Sequence, residues 1–188
     1  MSDFIYDIDW DEVRKINDEF GNSISVKKIS LSLNRALRRT EASLRRLTMK
    51  NLPRALGLRT AAVLRKRIKS IKGSVRENSS EIAMWFGLND LPVSSFKGRP
   101  KNTSDGAEFK GDSYSGGFVG KSQFKNKRTI FKRVGKDRLP ISEQLYPIND
   151  EGVIFIEDEL FDQVIDIFWR HFERDLRARI KYDLGWKK

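Results

Sequence analysis

The sequence predicts an α+β fold with two N-terminal helices, an antiparallel β-sheet and a long C-terminal amphipathic helix packed on the sheet. Three observations carry this reading. Apolar residues recur at helical spacing between Lys28 and Lys72, strand-sized runs separated by Gly- and Asp-rich turns fill 82–148, and one broad apolar stripe returns from Asp158 to Tyr182. The 188 residues suffice for one domain with a core and are short for two. The single domain, 1–188, divides into an acidic arm or short helix (1–26), basic helices (27–72), a sheet with a long loop (82–148) and the C-terminal helix (153–184). The hydrophobic fraction, 38%, predicts a thin core, for which twelve Phe and four Trp compensate by the area each buries.

Residues 1–20 interleave acids with Phe4, Ile5, Tyr6, Ile8, Trp10, Val13, Ile16 and Phe20. Asp9 is placed to cap a short helix over Trp10–Phe20, with Gly21-Asn22 as its stop. Such an arm either lies on the domain's own core or docks on the basic face of an adjacent subunit. From Lys28 to Asn51, Ile29, Leu33, Ala36, Leu37, Leu44 and Leu47 fit a 3.6-residue period, with Thr40 filling the gap in the stripe. Pro53 marks the expected break, because proline lacks an amide and disfavours helix in the residue before it. A second helix is expected over Leu58–Lys72, with Ala61, Leu64, Ile68 and Ile71 on one side and Gly73 closing it.

Beyond Gly73 the pattern turns β-like: Ser80–Gly87, Leu91–Phe96, Gly117–Gly120, Thr129–Val134 and Leu139–Ile141. Residues 97–117 read as a loop or hairpin, Asn126-Lys127-Arg128 as a hairpin tip, and Gly135-Lys136-Asp137 as a second turn. Short consecutive strands imply antiparallel pairing. In the last helix Phe161, Val164, Ile165, Phe168, Phe172, Leu176 and Ile180 form the stripe. Glu157, Asp158 and Glu159 at its start and Arg177, Arg179 and Lys181 at its end suit the helix dipole, and Gly185 supplies the stop.

Charge is strongly polarised. Residues 27–76 hold sixteen Lys or Arg against one acid, Glu41, for a net +15; 1–26 carry −5, 77–148 carry +4 and 149–188 carry −3, within a whole-chain +11. A basic middle between acidic ends suits nucleic acid or head-to-tail contacts between identical subunits. Zero cysteines exclude disulfides and thiol catalysis. No apolar run nears 18 residues and no secretion signal opens the chain, so neither membrane nor export is expected. His171 is the lone histidine and reads as a solvated helix residue. Asn149-Asp150-Glu151-Gly152 lacks calcium-loop spacing and reads as a turn. Gly120-Lys121-Ser122 lacks the upstream glycine register of a phosphate loop. No catalytic, cofactor or metal site is expected, and no enzyme activity.

In order, Leu33–Arg39, Leu58–Ile68, Trp85–Pro92 with Ser95–Gly98, Tyr114-Ser-Gly-Gly-Phe-Val119 and Ile130–Ile141 make a series that resembles the minor tail protein Z family of tailed bacteriophages, the tail completion proteins. Gly117 stands where that family often has Ala, and Ser115 where Pro is common. The resemblance covers roughly residues 29–148. It implies a virion structural protein of the neck or head–tail connector, assembled in the host cytoplasm and acting in tail completion and head–tail joining. It implies rings, often hexameric, next to other neck, tail-terminator and tail-tube proteins, with transient non-specific contact with genomic DNA. Interaction residues expected on the basic helices are Arg38, Arg39, Arg45, Arg46, Arg65, Arg67 and Lys69; those on the hairpins are Phe118, Lys127, Arg128 and Arg138. The alternative is a non-enzymatic cytosolic DNA-binding protein that grips phosphates through the basic helices.

Overall fold

The computed structural model describes residues 2–7, 11, 15, 18, 25–71, 75–76, 79–122 and 126–183. Strand β1 (Ser2–Asp7) pairs antiparallel with β4 (Ser79–Phe86), placing Phe4 opposite Met84. The N-terminal stretch is therefore a strand docked on its own chain. Asp11, Lys15 and Asp18 are helical; the rest of the helix expected over Trp10–Phe20, and the stop at Gly21-Asn22, lie outside the described residues. The other side of β4 takes β2 (Ile68–Ile71), and the short β3 (Val75–Arg76) pairs with the start of β4.

Helix α1 spans Val26–Ala55, about 45 Å at 1.5 Å per residue. Its apolar side buries Leu33, Ala36, Leu37, Leu44, Leu52 and also Thr40. The expected break at Pro53 is not where it ends: Pro53 sits in the last turn, and the stop is Gly57, with φ of +65°. Leu58 N–H donates to Pro53 C=O at 2.7 Å and Gly57 N–H to Arg54 C=O at 3.0 Å, the paired closure of a glycine-terminated helix. The ammonium of Lys110, 3.3 Å from Leu56 C=O, adds a cation at the negative end of the dipole.

The second helix over Leu58–Lys72 does not form. A 3-10 turn (Ala61–Leu64) leads instead into β2, with Ile68 opposite Phe86. Burial of Leu64 and Ile68 satisfies either conformation, so their spacing alone could not decide. The open edge of β4 offers backbone partners, and β-branched Ile68 and Ile71 gain more from a pleated surface than from a helix. The expected closure at Gly73 lies outside the described residues.

Among the described residues, the remaining β-structure is three small antiparallel assemblies rather than one sheet: β6 (Lys101–Asn102), β7 (Gly106–Phe109) and β8 (Asp112–Ser115); β9 (Gly117–Lys121), β10 (Arg128–Arg133) and β11 (Ile141–Glu143); and β5 (Leu91–Pro92) with β12 (Leu145–Tyr146). The expected tips at Asn126–Arg128 and Gly135–Asp137 both join antiparallel strands, with Arg128 already in the ladder opposite Lys121. Phe96, Phe109 and Tyr146 meet edge-on or tilted, with ring centroids 4.9–6.1 Å apart, and the Lys110 ammonium lies 5.2 Å from the centroids of Phe96 and Tyr146.

The C-terminal helix starts earlier than its acids suggested. Asn149–Asp150–Glu151–Gly152, expected as a turn, is the first part of α2 (Asn149–Ile154), which continues through a π-helical segment (Phe155–Phe161) into α3 (Asp162–Asp183). Asp150 and Glu151 occupy the positive end of the dipole, whereas Glu157 and Asp158 lie in the π segment. Ile156, Leu160, Val164, Phe168, Phe172 and Leu176 are buried at steps of four. On an α-helix each such step overshoots by about 40°, and the wider π turn absorbs part of that drift. Ile165 drops out of the stripe, 43% exposed. The helix packs chiefly on α1, not on the sheet as expected, because α1 carries the facing apolar side. The stop at Gly185 lies outside the described residues.

Candidate functional site

On α1, residues seven apart share a face and adjacent ones diverge by about 100°. Arg39 and Arg46 consequently lie together, and Arg38 and Arg45 form a separate exposed pair. Where α1 meets α3, Arg35, Arg39, Ser43, Arg46, His171 and Arg174 line a groove of about 560 Å³. Two polar links bridge its walls: Arg35 Nη1 lies 2.9 Å from Asp175 Oδ1, and Ser43 Oγ lies 3.2 Å from His171 Nε2. Arg179 holds the other oxygen of Asp175 at 2.8 Å.

These contacts set the protonation states. Burial alone would raise the Asp175 carboxyl, but hydrogen bonds from Arg179 and Arg35 outweigh it and hold the group below its ordinary value, so Asp175 stays ionised. The His171 ring is shifted down, first by burial and then by the charges of Arg39, Arg170, Arg174 and Arg46, so it stays neutral at pH 7. His171 is half-buried, not the solvated residue expected. The groove carries a strong positive field whose one buried carboxylate is already neutralised. Among the described residues, no carboxylate pairs with Arg39, Arg46 or Arg174.

The other expected residues are dispersed. Arg65 is exposed just after the 3-10 turn, and Lys69 lies on β2 with its ammonium 5.1 Å from the Trp85 ring centroid. Arg67 has a structural role: its guanidinium donates to the carbonyls of Asn89 and Asp90, and its own carbonyl accepts Gly87 N–H at 2.7 Å. Phe118 lies 37% exposed opposite Phe131 on β9–β10, with ring centroids 6.1 Å apart. Lys127, Arg128 and Arg138 are exposed on the hairpins. The sequence reading named Arg39 and Arg46 but missed Arg174 and His171 as their neighbours. The signal available was the local run Arg170–Lys181, obscured by the net negative charge of its segment.

No cluster of metal-ligating side chains occurs among the described residues, and no helix among them is long and apolar enough to cross a membrane. In comparison with known proteins, no protein-family model, no curated protein and no solved structure matches the chain.

Proposed function

We propose that this chain is a virion structural subunit, a tail-completion or neck protein that assembles as a ring at the head–tail junction and makes the tail competent to join the head. The observation that carries this reading is the surface of the β9–β11 sheet. Residues Ile130–Ile141, part of the motif series that resembles tail completion proteins, form a hairpin exposing Val134 (68%), Leu139 (67%) and Ile141 (37%), flanked by Arg133, Lys136 and Arg138. Phe118, on β9, is a further exposed apolar residue of the same sheet. Such residues at a hairpin gain most by inserting into a neighbour, and a head-to-tail contact of this kind makes a ring when the rotation between successive copies closes. The acidic N-terminal and basic middle segments add attraction between copies.

Light scattering and electron microscopy of the purified chain, alone and with tail particles that lack it, test the reading. The expected result is a ring in the particle neck. Val134→Asp with Leu139→Asp should leave the far-ultraviolet dichroism unchanged and abolish ring formation and head–tail joining. Normal joining by that double variant would overturn the assignment.

A further inference from the structure

The groove between α1 and α3 is one part of a longer cationic seam. A second hollow of about 420 Å³ shares Arg174 and Ala178 with it and adds Arg170, Arg177 and Lys181. A third, of about 440 Å³, shares Arg35, Asp175 and Ala178 and adds Arg179. Among the described residues, the carboxylates facing this seam are Asp175, held by Arg35 and Arg179, and Glu173, 3.3 Å from Arg177. Its uncompensated charge therefore comes from Arg39, Arg46, Arg170, Arg174 and Lys181, and Asp175 offsets only one of the two arginines that hold it. We propose that the seam is a binding track for the phosphodiester backbone of nucleic acid, read without regard to base sequence.

The shape of the seam selects this ligand. Arg39 and Arg46, the uncompensated arginines of α1, are seven residues apart, about 10 Å along the helix. A single small anion cannot span that distance, whereas a strand presenting one phosphate per roughly 3.4 Å of axis supplies several charges over it. Arginine forks match phosphate oxygens two at a time. An acidic peptide would want apolar anchors beside its carboxylates; the uncharged side chains lining the central groove are Ala42, Ser43 and Ala178, beside the neutral ring of His171, and the third hollow adds the ring of Tyr182. The proposal goes beyond the assembly reading and stands on the groove alone.

Fluorescence anisotropy with a labelled duplex of arbitrary sequence, over about 50 to 200 mM salt, tests it. The wild-type chain should bind, with affinity falling steeply and linearly on a log–log salt plot. Arg39→Ala with Arg46→Ala and Arg174→Ala should bind at least roughly tenfold more weakly and lose about 2.7 from the magnitude of the slope, near 0.9 per phosphate contact. Arg38→Ala with Arg45→Ala, on the neighbouring face of α1, should keep the wild-type slope within about one. Each variant is checked for native dichroism, and the triple Lys replacement at 39, 46 and 174 should restore most of the slope. Equal losses in the two alanine variants, no duplex binding at low salt, or competition by polyglutamate as strong as by duplex would overturn the proposal. A chain that forms rings yet fails these binding tests overturns the track and leaves the collar reading standing; a chain that binds but never enters particles does the reverse.

Discussion

Two threonines in α1 show how much one hydroxyl can matter. Thr48 Oγ1 donates to Leu44 C=O at 2.8 Å, whereas the Thr40 hydroxyl, equally buried, has no hydrogen-bond partner. Replacing a buried, unsatisfied hydroxyl by a methyl removes a desolvation cost. Thr40→Val should stabilise the fold by about 1 kcal/mol, and Thr48→Val should destabilise it by about 1 kcal/mol; paired urea titrations distinguish them. Asp175 gives a prediction with a sign in pH. Its folded pKa is depressed, so its contribution is complete above the unfolded value of about 3.9 and disappears as pH falls through the lower folded value. Asp175→Asn should cost about 2 kcal/mol at pH 7, and the gap from wild type should narrow as the solution is acidified below about pH 4. His171 has the opposite protonation chemistry but the same trend. Its folded pKa is lowered, so the stabilisation is complete above about 6.5 and declines as pH drops through that value. Proton NMR should find its midpoint below 6.5, and Arg39→Ala with Arg46→Ala should move it upward.

The end of α1 shows why composition and position weigh differently in an element. Pro53 is the louder breaker in the sequence, yet in the last turn its missing N–H costs one hydrogen bond and its ring is accommodated. Gly57 does the stopping, because only its conformation lets Leu58 N–H reach back to Pro53. Gly57→Ala should cost about 1 kcal/mol from the backbone conformation, measured by thermal unfolding. Steric pressure adds little: the new Cβ would meet Lys110 Nζ at 2.9 Å, the far end of a flexible side chain. Leu58–Ile71 argues the complementary point. Ala61, Leu64, Ile68 and Ile71 keep helical spacing, but the partner available along β4 converts the second half into a strand.

At the scale of the whole molecule, the packing of α3 on α1 unites charges that are 120 or more residues apart in the chain. That juxtaposition separates two neighbours the sequence treats alike. Arg46→Glu, in the groove, should weaken duplex binding far more than Arg45→Glu, with both proteins natively folded by dichroism; equal effects would mean that the field, not the groove, attracts the ligand.

The sequence by itself determined the α+β class, the first basic helix, the turns at 126–128 and 135–137 and the apolar stripe of the C-terminal helix, because each depends on local periodicity or turn chemistry. It also determined the charge polarity and the arginines of α1. Only the tertiary structure decided that residues 2–7 and 68–71 flank β4, that the last helix lies on α1, and that Arg39 and Arg46 face His171 and Arg174. Those outcomes depend on which backbone edge finds a partner and which apolar faces meet, and no local pattern encodes which other segment supplies that partner.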